Sequence, residues 1–144
     1  MSRSSSDPAR ERAELIVRAW RVLDGERRLE AMPEFFAEDY VRHSSEGDYD
    51  RDQFGEILAA LHAGFPDLAS STEETVAEGD RVAYRWVSDG THAAEYLGVP
   101  PTNRRVRATG ITISRFGPDG RIVEDWSSWN KTSVLHALGI VPLG

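Results

Sequence analysis

The chain has 144 residues, and its 17 Lys and Arg against 24 Asp and Glu give a formal net charge of −7. This acidic balance argues against a nucleic-acid-binding protein, because phosphate contacts need a surplus of basic side chains on one face. The sequence has no cysteine, which excludes disulfides, thiolate metal sites and a cysteine nucleophile. No apolar run approaches the roughly 20 residues that cross a bilayer, and no apolar leader opens the chain, so we expect a soluble, cytoplasmic protein without a membrane partner.

The N-terminal half of the chain has helical periodicity. Residues 1–8 are polar and Ser-rich and are predicted to form a disordered tail, which leaves residues 9–144 as a single domain. Apolar side chains at helical spacing predict three helices, which end near residues 25, 36 and 64. Between the second and third helices, residues 40–43 predict a first strand, and the acidic residues 46–52 predict a solvated loop.

The C-terminal half changes to the alternating pattern of strands. Turn residues 79–80 and 117–120 predict two hairpins, whose strands cover residues 76–88 and 105–130. A last helical turn is predicted over 133–138. Helices followed by consecutive hairpins predict an α+β domain, in which the helices pack on one face of a strongly bent antiparallel sheet.

The strand over residues 105–116 has two different faces. One face carries small residues such as Ala108, Gly110 and Thr112, which leave room for a cavity. The opposite face carries Ile111 and Ile113, although the uncovered face of such a sheet should meet water. An apolar patch there predicts a partner chain, most simply a homodimer through the open sheet face. The alternative is two isolated surface isoleucines.

Five stretches in this order resemble one protein family. They are FFAEDYVRH (35–43), AGFPDL (63–68), VAEGDRVAYRW (76–86), GTHAAEYLGVPPTNRRV (90–106) and GRIVEDWSSWNKTSVLHALG (120–139). The set resembles the SnoaL-like polyketide cyclases, also called ester cyclases, within the nuclear-transport-factor-2-like superfamily. The resemblance implies a cone-shaped α+β barrel around one deep apolar pocket. It also implies acid/base chemistry on a small molecule without cofactor or metal.

The resemblance implies two catalytic positions that this chain fills differently. Family members that close a ring by aldol chemistry use an acidic residue on the last long strand and a histidine on the strand before it. The matching positions here hold Ser127 and Thr112. Neither hydroxyl takes up a proton near neutral pH, so the aldol cyclase assignment is weakened at these residues.

Two other residues are predicted to carry the proton transfer. Strand alternation puts Asp125 on the same face as Ser127, and an apolar cavity raises the pKa of a carboxyl group toward the working pH of a general acid/base. The alternative is that Asp125 is solvated at the strand rim or forms a salt bridge with an arginine such as Arg85. His43 lies in a Tyr-x-x-His context that the family shares, and its imidazole is predicted to relay a proton or orient Asp125.

Aromatic and hydrogen-bonding side chains are predicted to line the pocket, although aromatic residues at such spacing also fill ordinary cores. The predicted substrate-binding residues are Trp20, Phe36, Phe65, Tyr84, Trp86, Tyr96, Thr112, Ser127, Trp129 and Asn130.

The sequence as a whole predicts a cofactor-independent cyclase or isomerase that acts on a polyketide-like, apolar, oxygenated small molecule. No histidine spacing typical of a metal site and no Gly-rich nucleotide loop occurs, so neither a metal nor a cofactor is expected. Two alternatives stay open: a binding module of the same fold without turnover, and a family member linked to hydroxylation.

Overall fold

The computed structural model describes residues 7–139. Its elements, in chain order, are α1 (Pro8–Trp20), a π-turn (Arg21–Gly25), a 3-10 turn (Leu29–Ala31), α2 (Met32–Phe35), β1 (Phe36–Ser44), β2 (Gly47–Asp50), α3 (Arg51–Gly64), β3 (Ala69–Glu78), β4 (Arg81–Thr91), β5 (Arg105–Phe116), β6 (Ile122–Trp129) and α4 (Lys131–Ala137). No helix in this range is long and apolar enough to cross a membrane.

Two aspartates begin the two long helices. The Asp7 carboxylate accepts a hydrogen bond from Ala9 N–H at 3.1 Å, and Pro8 occupies the first helical position of α1. Asp50 and Gln53 form a reciprocal capping box at the start of α3. The predicted tail, residues 1–8, is therefore wrong at its last two residues, and residues 1–6 lie outside the described range.

The sheet has six strands in the order β2-β1-β6-β5-β4-β3. All neighbouring strands are antiparallel except β1 and β6, which run parallel. The prediction of an antiparallel sheet is therefore wrong at this pair. Turn residues predict pairing only between strands that are adjacent in sequence. Strands β1 and β6 are neighbours in the sheet but are separated in sequence by helix α3 and four other strands.

The acidic segment predicted as a loop contains a short edge strand. Strand β2 pairs with the end of β1, with Val41 opposite Asp50 and Ser44 opposite Gly47. Charged side chains are common on edge strands because they discourage pairing with another chain. The acidic residues of this segment are thus typical of an edge strand and do not indicate a loop.

The main core lies between the inner face of the sheet and the N-terminal helices. Ile16 and Leu23 from the helical segment and Val82 from β4 are fully buried there. A second cluster near α4 contains Phe65 and Val134. Between these two clusters the sheet and helices leave an open volume, which forms the cavity described below.

Candidate active site

A cavity of about 310 Å³ lies between the inner face of the sheet and helices α1, α3 and α4. This volume is at the lower end of the range typical of small-molecule sites. Eight of the ten predicted substrate-binding residues line it: Trp20, Phe65, Tyr84, Trp86, Tyr96, Thr112, Ser127 and Trp129. Their position at the cavity is an observation, and their contact with a substrate stays a prediction.

Two predicted lining residues lie elsewhere. Phe36 is fully buried in the main core, with its ring centroid 4.8 Å from that of Tyr40. Asn130 follows the last residue of β6, and its side-chain oxygen accepts a hydrogen bond from Thr109 N–H at 2.9 Å. The prediction that these two residues line the pocket is therefore wrong. Phe36 precedes an irregularity in the pairing of β1 with β6. The Asn130 side chain is held by the backbone of β5.

A chain of three neutral polar groups crosses one wall of the cavity. Trp86 Nε1–H donates to Thr112 Oγ1 at 3.1 Å, and Thr112 Oγ1 lies 3.0 Å from Ser127 Oγ. Thr112 and Ser127 are direct partners in the pairing of β5 with β6. The two positions where the resemblance implies ionisable side chains therefore hold a hydrogen-bonded pair of hydroxyls.

The Trp86 ring is accommodated by a glycine on the neighbouring strand. Gly110 is the β5 partner of Trp86, and a Cβ built on Gly110 would lie within 2.6 Å of Trp86 Cε2. A side chain at residue 110 would therefore displace the ring. The absence of a side chain there allows Trp86 to pack against the β5 backbone as a flat cavity wall.

Asp125 is on the inner face of β6, the face that the family resemblance implied, but it is fully buried. Its Oδ2 accepts hydrogen bonds from the Tyr40 hydroxyl at 2.5 Å and from Arg42 Nη1 at 3.1 Å, and its Oδ1 accepts one from the Ser114 hydroxyl. Asp125 is not among the residues that line the cavity, whereas Arg42 is. The prediction that this carboxyl group opens directly into the cavity is wrong.

Burial raises the pKa of the Asp125 carboxyl group, because desolvation disfavours the charged form. The positive charge of Arg42 opposes this rise, as do the hydrogen bonds from Ser114 and Tyr40. All three neighbours donate to the carboxyl oxygens, an arrangement that suits a carboxylate. The alternative of a salt bridge is thus realised with Arg42 and not with Arg85.

Arg42 is the cationic group between Asp125 and the cavity. Its side chain is 12% exposed, and its Cζ lies 4.1 Å from the centroid of the Phe54 ring. Packing against an aromatic face and pairing with a carboxylate hold the guanidinium in one place. Arg42 was not predicted as a site residue, although it lies two residues after Tyr40 and therefore on the same face of β1.

His43 lies on the opposite face of the sheet. Its ring stacks on Trp126 at 5.5 Å, and its Nε2 and Nδ1 lie 2.7 Å and 2.9 Å from carboxylate oxygens of Glu124 and Asp48. The expectation of an imidazole within reach of Asp125 is therefore wrong. In the parallel pairing, Arg42 is opposite Asp125 and His43 is opposite Trp126, so alternation separates His43 from the cavity.

Two further side-chain pairs have at least one member at the cavity wall. Asp24 lines the cavity, and its Oδ1 is 2.8 Å from His62 Nε2. Glu46 and Lys131 also line it, with 3.7 Å between Oε1 and Nζ. No local sequence pattern connects His62 with residue 24, because the two residues lie 38 positions apart.

Tyr84 adds a neutral phenol to the wall. Burial raises the pKa of its hydroxyl, so the phenol stays protonated at physiological pH. Its oxygen accepts a hydrogen bond from Trp20 Nε1–H at 3.0 Å. The cavity therefore combines an apolar wall with the buried Arg42 cation, the more exposed Lys131 cation, several neutral donors and two carboxylates at separate places.

Solved structures share this fold. AclR of Streptomyces galilaeus, named as a candidate hydroxylase, is 31% identical with a TM-score of 0.80, over 93% of this chain and 99% of AclR. IdmH of Streptomyces antibioticus, named as a candidate polyketide cyclase, is 32% identical with a TM-score of 0.75, over 90% of this chain and 99% of IdmH.

A third structure is a candidate polyketide cyclase from Acidithiobacillus ferrooxidans, 25% identical with a TM-score of 0.78, over 95% of this chain and 98% of that chain. Comparison with curated proteins finds no match. The profile of the SnoaL-like polyketide cyclases matches residues 14–138. The predicted family and the α+β fold class are therefore confirmed, and the chain belongs to the SnoaL-like polyketide cyclase family.

Proposed function

We propose that the chain catalyses an acid/base cyclisation or isomerisation of an apolar, oxygenated, polyketide-like small molecule. In this proposal Arg42 binds the carbonyl oxygen at which negative charge develops. One observation carries the proposal: a buried guanidinium, held by Asp125 at 3.1 Å, lines an otherwise largely apolar cavity. The proposed reaction requires no cofactor.

The chemistry follows from the charge that such reactions generate. When a proton leaves the carbon next to a carbonyl group, the electron pair forms a carbon–carbon double bond and the negative charge moves to oxygen. A fixed cation in a site with little water stabilises that oxyanion strongly, because no solvent reorganisation is needed. The enolate then attacks a second carbonyl carbon in a cyclisation, or takes a proton at another carbon in an isomerisation.

The other groups have supporting roles. Asp125 is a positioning residue in this proposal, because it fixes Arg42 and does not reach the cavity. Thr112 and Ser127 provide neutral hydrogen bonds that orient the oxygen substituents of the substrate. The Trp86 and Trp129 rings provide flat walls that suit a polycyclic substrate.

The proposal is tested with 2-naphthol, whose anion resembles the enolate of a bicyclic ketone. Absorbance and fluorescence distinguish the neutral and anionic forms, so the pKa of the bound phenol can be measured. We expect the bound probe to ionise at lower pH than the free probe in wild type. An unchanged or higher ionisation pH of bound naphthol would overturn the role of Arg42.

Variants identify the group responsible. Replacing both members of the buried pair, as in Arg42→Met with Asp125→Asn, avoids leaving one charge unpaired and keeps a side-chain oxygen as acceptor beside the Tyr40 and Ser114 hydroxyls, so this variant should fold. We expect this double variant to bind neutral naphthol but to lose the ionisation shift. Arg85→Met, on the outer face beside Glu74, is the matched control and should retain the shift.

Two observations favour other candidate functions. The similarity to AclR favours a role linked to hydroxylation. The neutral hydroxyls at Thr112 and Ser127 favour a binding module without turnover. Incubation with an aromatic polyketide ketone, followed by liquid chromatography and mass spectrometry, separates these functions. Hydroxylation adds the mass of one oxygen atom, and aldol cyclisation with dehydration removes the mass of one water molecule. Isomerisation changes the retention time but not the mass, and a binding module returns the ligand unchanged.

A further inference from the structure

The proposed reaction needs a group that takes a proton from the substrate. Arg42 stays protonated and cannot accept one. The hydroxyls of Thr112 and Ser127 do not ionise near neutral pH. Within residues 7–139, the carboxylates that line the cavity are those of Asp24 and Glu46.

These two carboxylates have different surroundings. The Glu46 side chain is 28% exposed and lies 3.7 Å from Lys131 Nζ. The Asp24 side chain is 8% exposed, and its partner His62 is 12% exposed. A carboxylate shielded from water exchanges its proton with a bound substrate more readily than with solvent. Asp24 is therefore the better placed of the two.

The backbone that holds Asp24 is not an ordinary helix. Residues Arg21–Gly25 continue α1 as a π-turn, in which Glu26 N–H donates to the Arg21 carbonyl oxygen at 2.9 Å. Single π-turns occur frequently at functional sites, because the wider turn redirects the side chains. Trp20, four residues before Asp24, lines the same cavity. The end of this helical segment thus presents an aromatic ring and a carboxylate to one ligand volume.

We propose that Asp24 is the general base and acid of this site and that His62 is a positioning residue that holds its carboxylate. The inference rests on the proposed function, since it supplies the proton transfer that Arg42 cannot perform. Asp24 reaches the substrate from the helical side of the cavity, whereas Arg42 reaches it from the sheet.

The step balances without an added reactant. An oxygen of the Asp24 carboxylate takes a proton from the carbon next to the substrate carbonyl. The C–H electron pair forms the enolate double bond, and the carbonyl π-pair moves to the oxygen beside Arg42. The carboxylic acid then returns the proton to another carbon in an isomerisation, or to the new alkoxide in a cyclisation. Nothing is oxidised or reduced.

The test follows proton exchange in a defined ketone. The uncharged bicyclic ketone 2-tetralone is incubated with wild-type chain in D₂O, and loss of the C1 hydrogens is measured by NMR. We expect wild type to accelerate the exchange above the buffer rate. Asp24→Asn should reduce the exchange rate constant by about 10²–10⁴-fold, the usual contribution of general acid/base catalysis. Asp89→Asn, in an exposed pair with Arg107, is the matched control and should retain the rate.

Asparagine also distinguishes catalysis from structure. Its side-chain oxygen still accepts a hydrogen bond from His62, so a purely structural pair would leave the exchange rate unchanged in Asp24→Asn. For His62, Gln retains a nitrogen donor near Nε2 whereas Leu does not. We expect His62→Leu to lower the exchange rate constant without weakening 2-naphthol binding, and His62→Gln to restore part of the rate.

The outcomes separate this inference from the proposed function. Wild-type exchange that survives in Asp24→Asn but is lost in Glu46→Gln would overturn the role of Asp24. Absence of wild-type exchange together with ionised bound naphthol would overturn Asp24 and retain Arg42. Exchange that depends on Asp24, without an ionisation shift of naphthol, would support Asp24 and overturn the oxyanion role of Arg42.

Discussion

Arg42 and Asp125 face each other across the parallel strand pair of the sheet, and Arg42 Nη1 donates to Asp125 Oδ2 at 3.1 Å. The pair joins the first long strand to the last one. Because the guanidinium lines the cavity and the carboxylate does not, this single contact contributes both to folding and to the charge of the site.

Loss of one partner of this pair should destabilise the fold strongly. Asp125→Ala leaves the Arg42 charge buried and unpaired, which should lower the free energy of unfolding by about 3–5 kcal/mol. Urea denaturation measures this change. Arg107→Ala, which removes an exposed pair with Asp89, should cost less than about 1 kcal/mol. Equal effects of the two variants would contradict the view that Asp125 is a structural anchor.

A methyl group at Gly110 should close part of the cavity. The new Cβ in Gly110→Ala would clash with Trp86, and such overpacking costs about 1–3 kcal/mol. The displaced ring should also lose its hydrogen bond to Thr112, so we expect weaker 2-naphthol binding, measured by fluorescence titration. Gly55→Ala on helix α3 is the control, since its Cβ would meet only the flexible Met32 side chain at 3.3 Å. Unchanged binding in Gly110→Ala would contradict this account of the wall.

His43 should make stability depend on pH. Hydrogen bonds to Glu124 and Asp48 raise its pKa above the ordinary value of 6.5, so the folded state binds this proton more tightly than the unfolded state. The resulting stabilisation is complete below pH 6.5 and is lost as the pH rises through the raised pKa. His43→Gln should remove this dependence. Urea denaturation across this range tests it, with His136→Gln at an exposed position of α4 as control. A pH dependence that persists in His43→Gln would refute the assignment.

The outer face of the sheet should hold a second copy of the chain. Pairing registers place Val76, Ala83, Ile113 and Trp126 in one row across β3 to β6, and Ile113 is 39% exposed. The next row carries an Arg85–Glu74 pair, so this face combines an apolar row with an intrachain charged pair.

Sedimentation equilibrium tests this expected dimer. Ile113→Glu should shift the wild-type dimer to monomer, because it puts a charge into an apolar contact. Val17→Glu, at a 44% exposed position of α1 away from the sheet face, should leave the dimer intact. A wild-type chain that is monomeric at high concentration would end the proposal.

Local patterns were sufficient for most of the fold. The periodicity around Ile16 and Phe54 predicted α1 and α3, and the turn residues at 79–80 and 117–120 predicted the two hairpins, because these signals involve neighbours in sequence. Alternation likewise placed Asp125 on the same face of β6 as Ser127, and the family resemblance identified that face as the inner one. These predictions needed no knowledge of distant contacts.

The site depended on contacts that no local pattern reports. Arg42 meets Asp125 only because β1 pairs with β6, and the Asp24 contact with His62 requires α3 to fold back over the π-turn. His43 was assigned to the cavity from its family context. Because successive strand residues point to opposite faces, Arg42 on the inner face of β1 places His43 on the outer face.

Residues 112 and 127 lie side by side because the backbones of β5 and β6 pair in this register. Side chains at these two positions can therefore change while the backbone hydrogen bonds between β5 and β6 persist. The chemistry of this cavity wall is thus set by side chains, whereas the pairing of the two strands that carry them is set by the backbone.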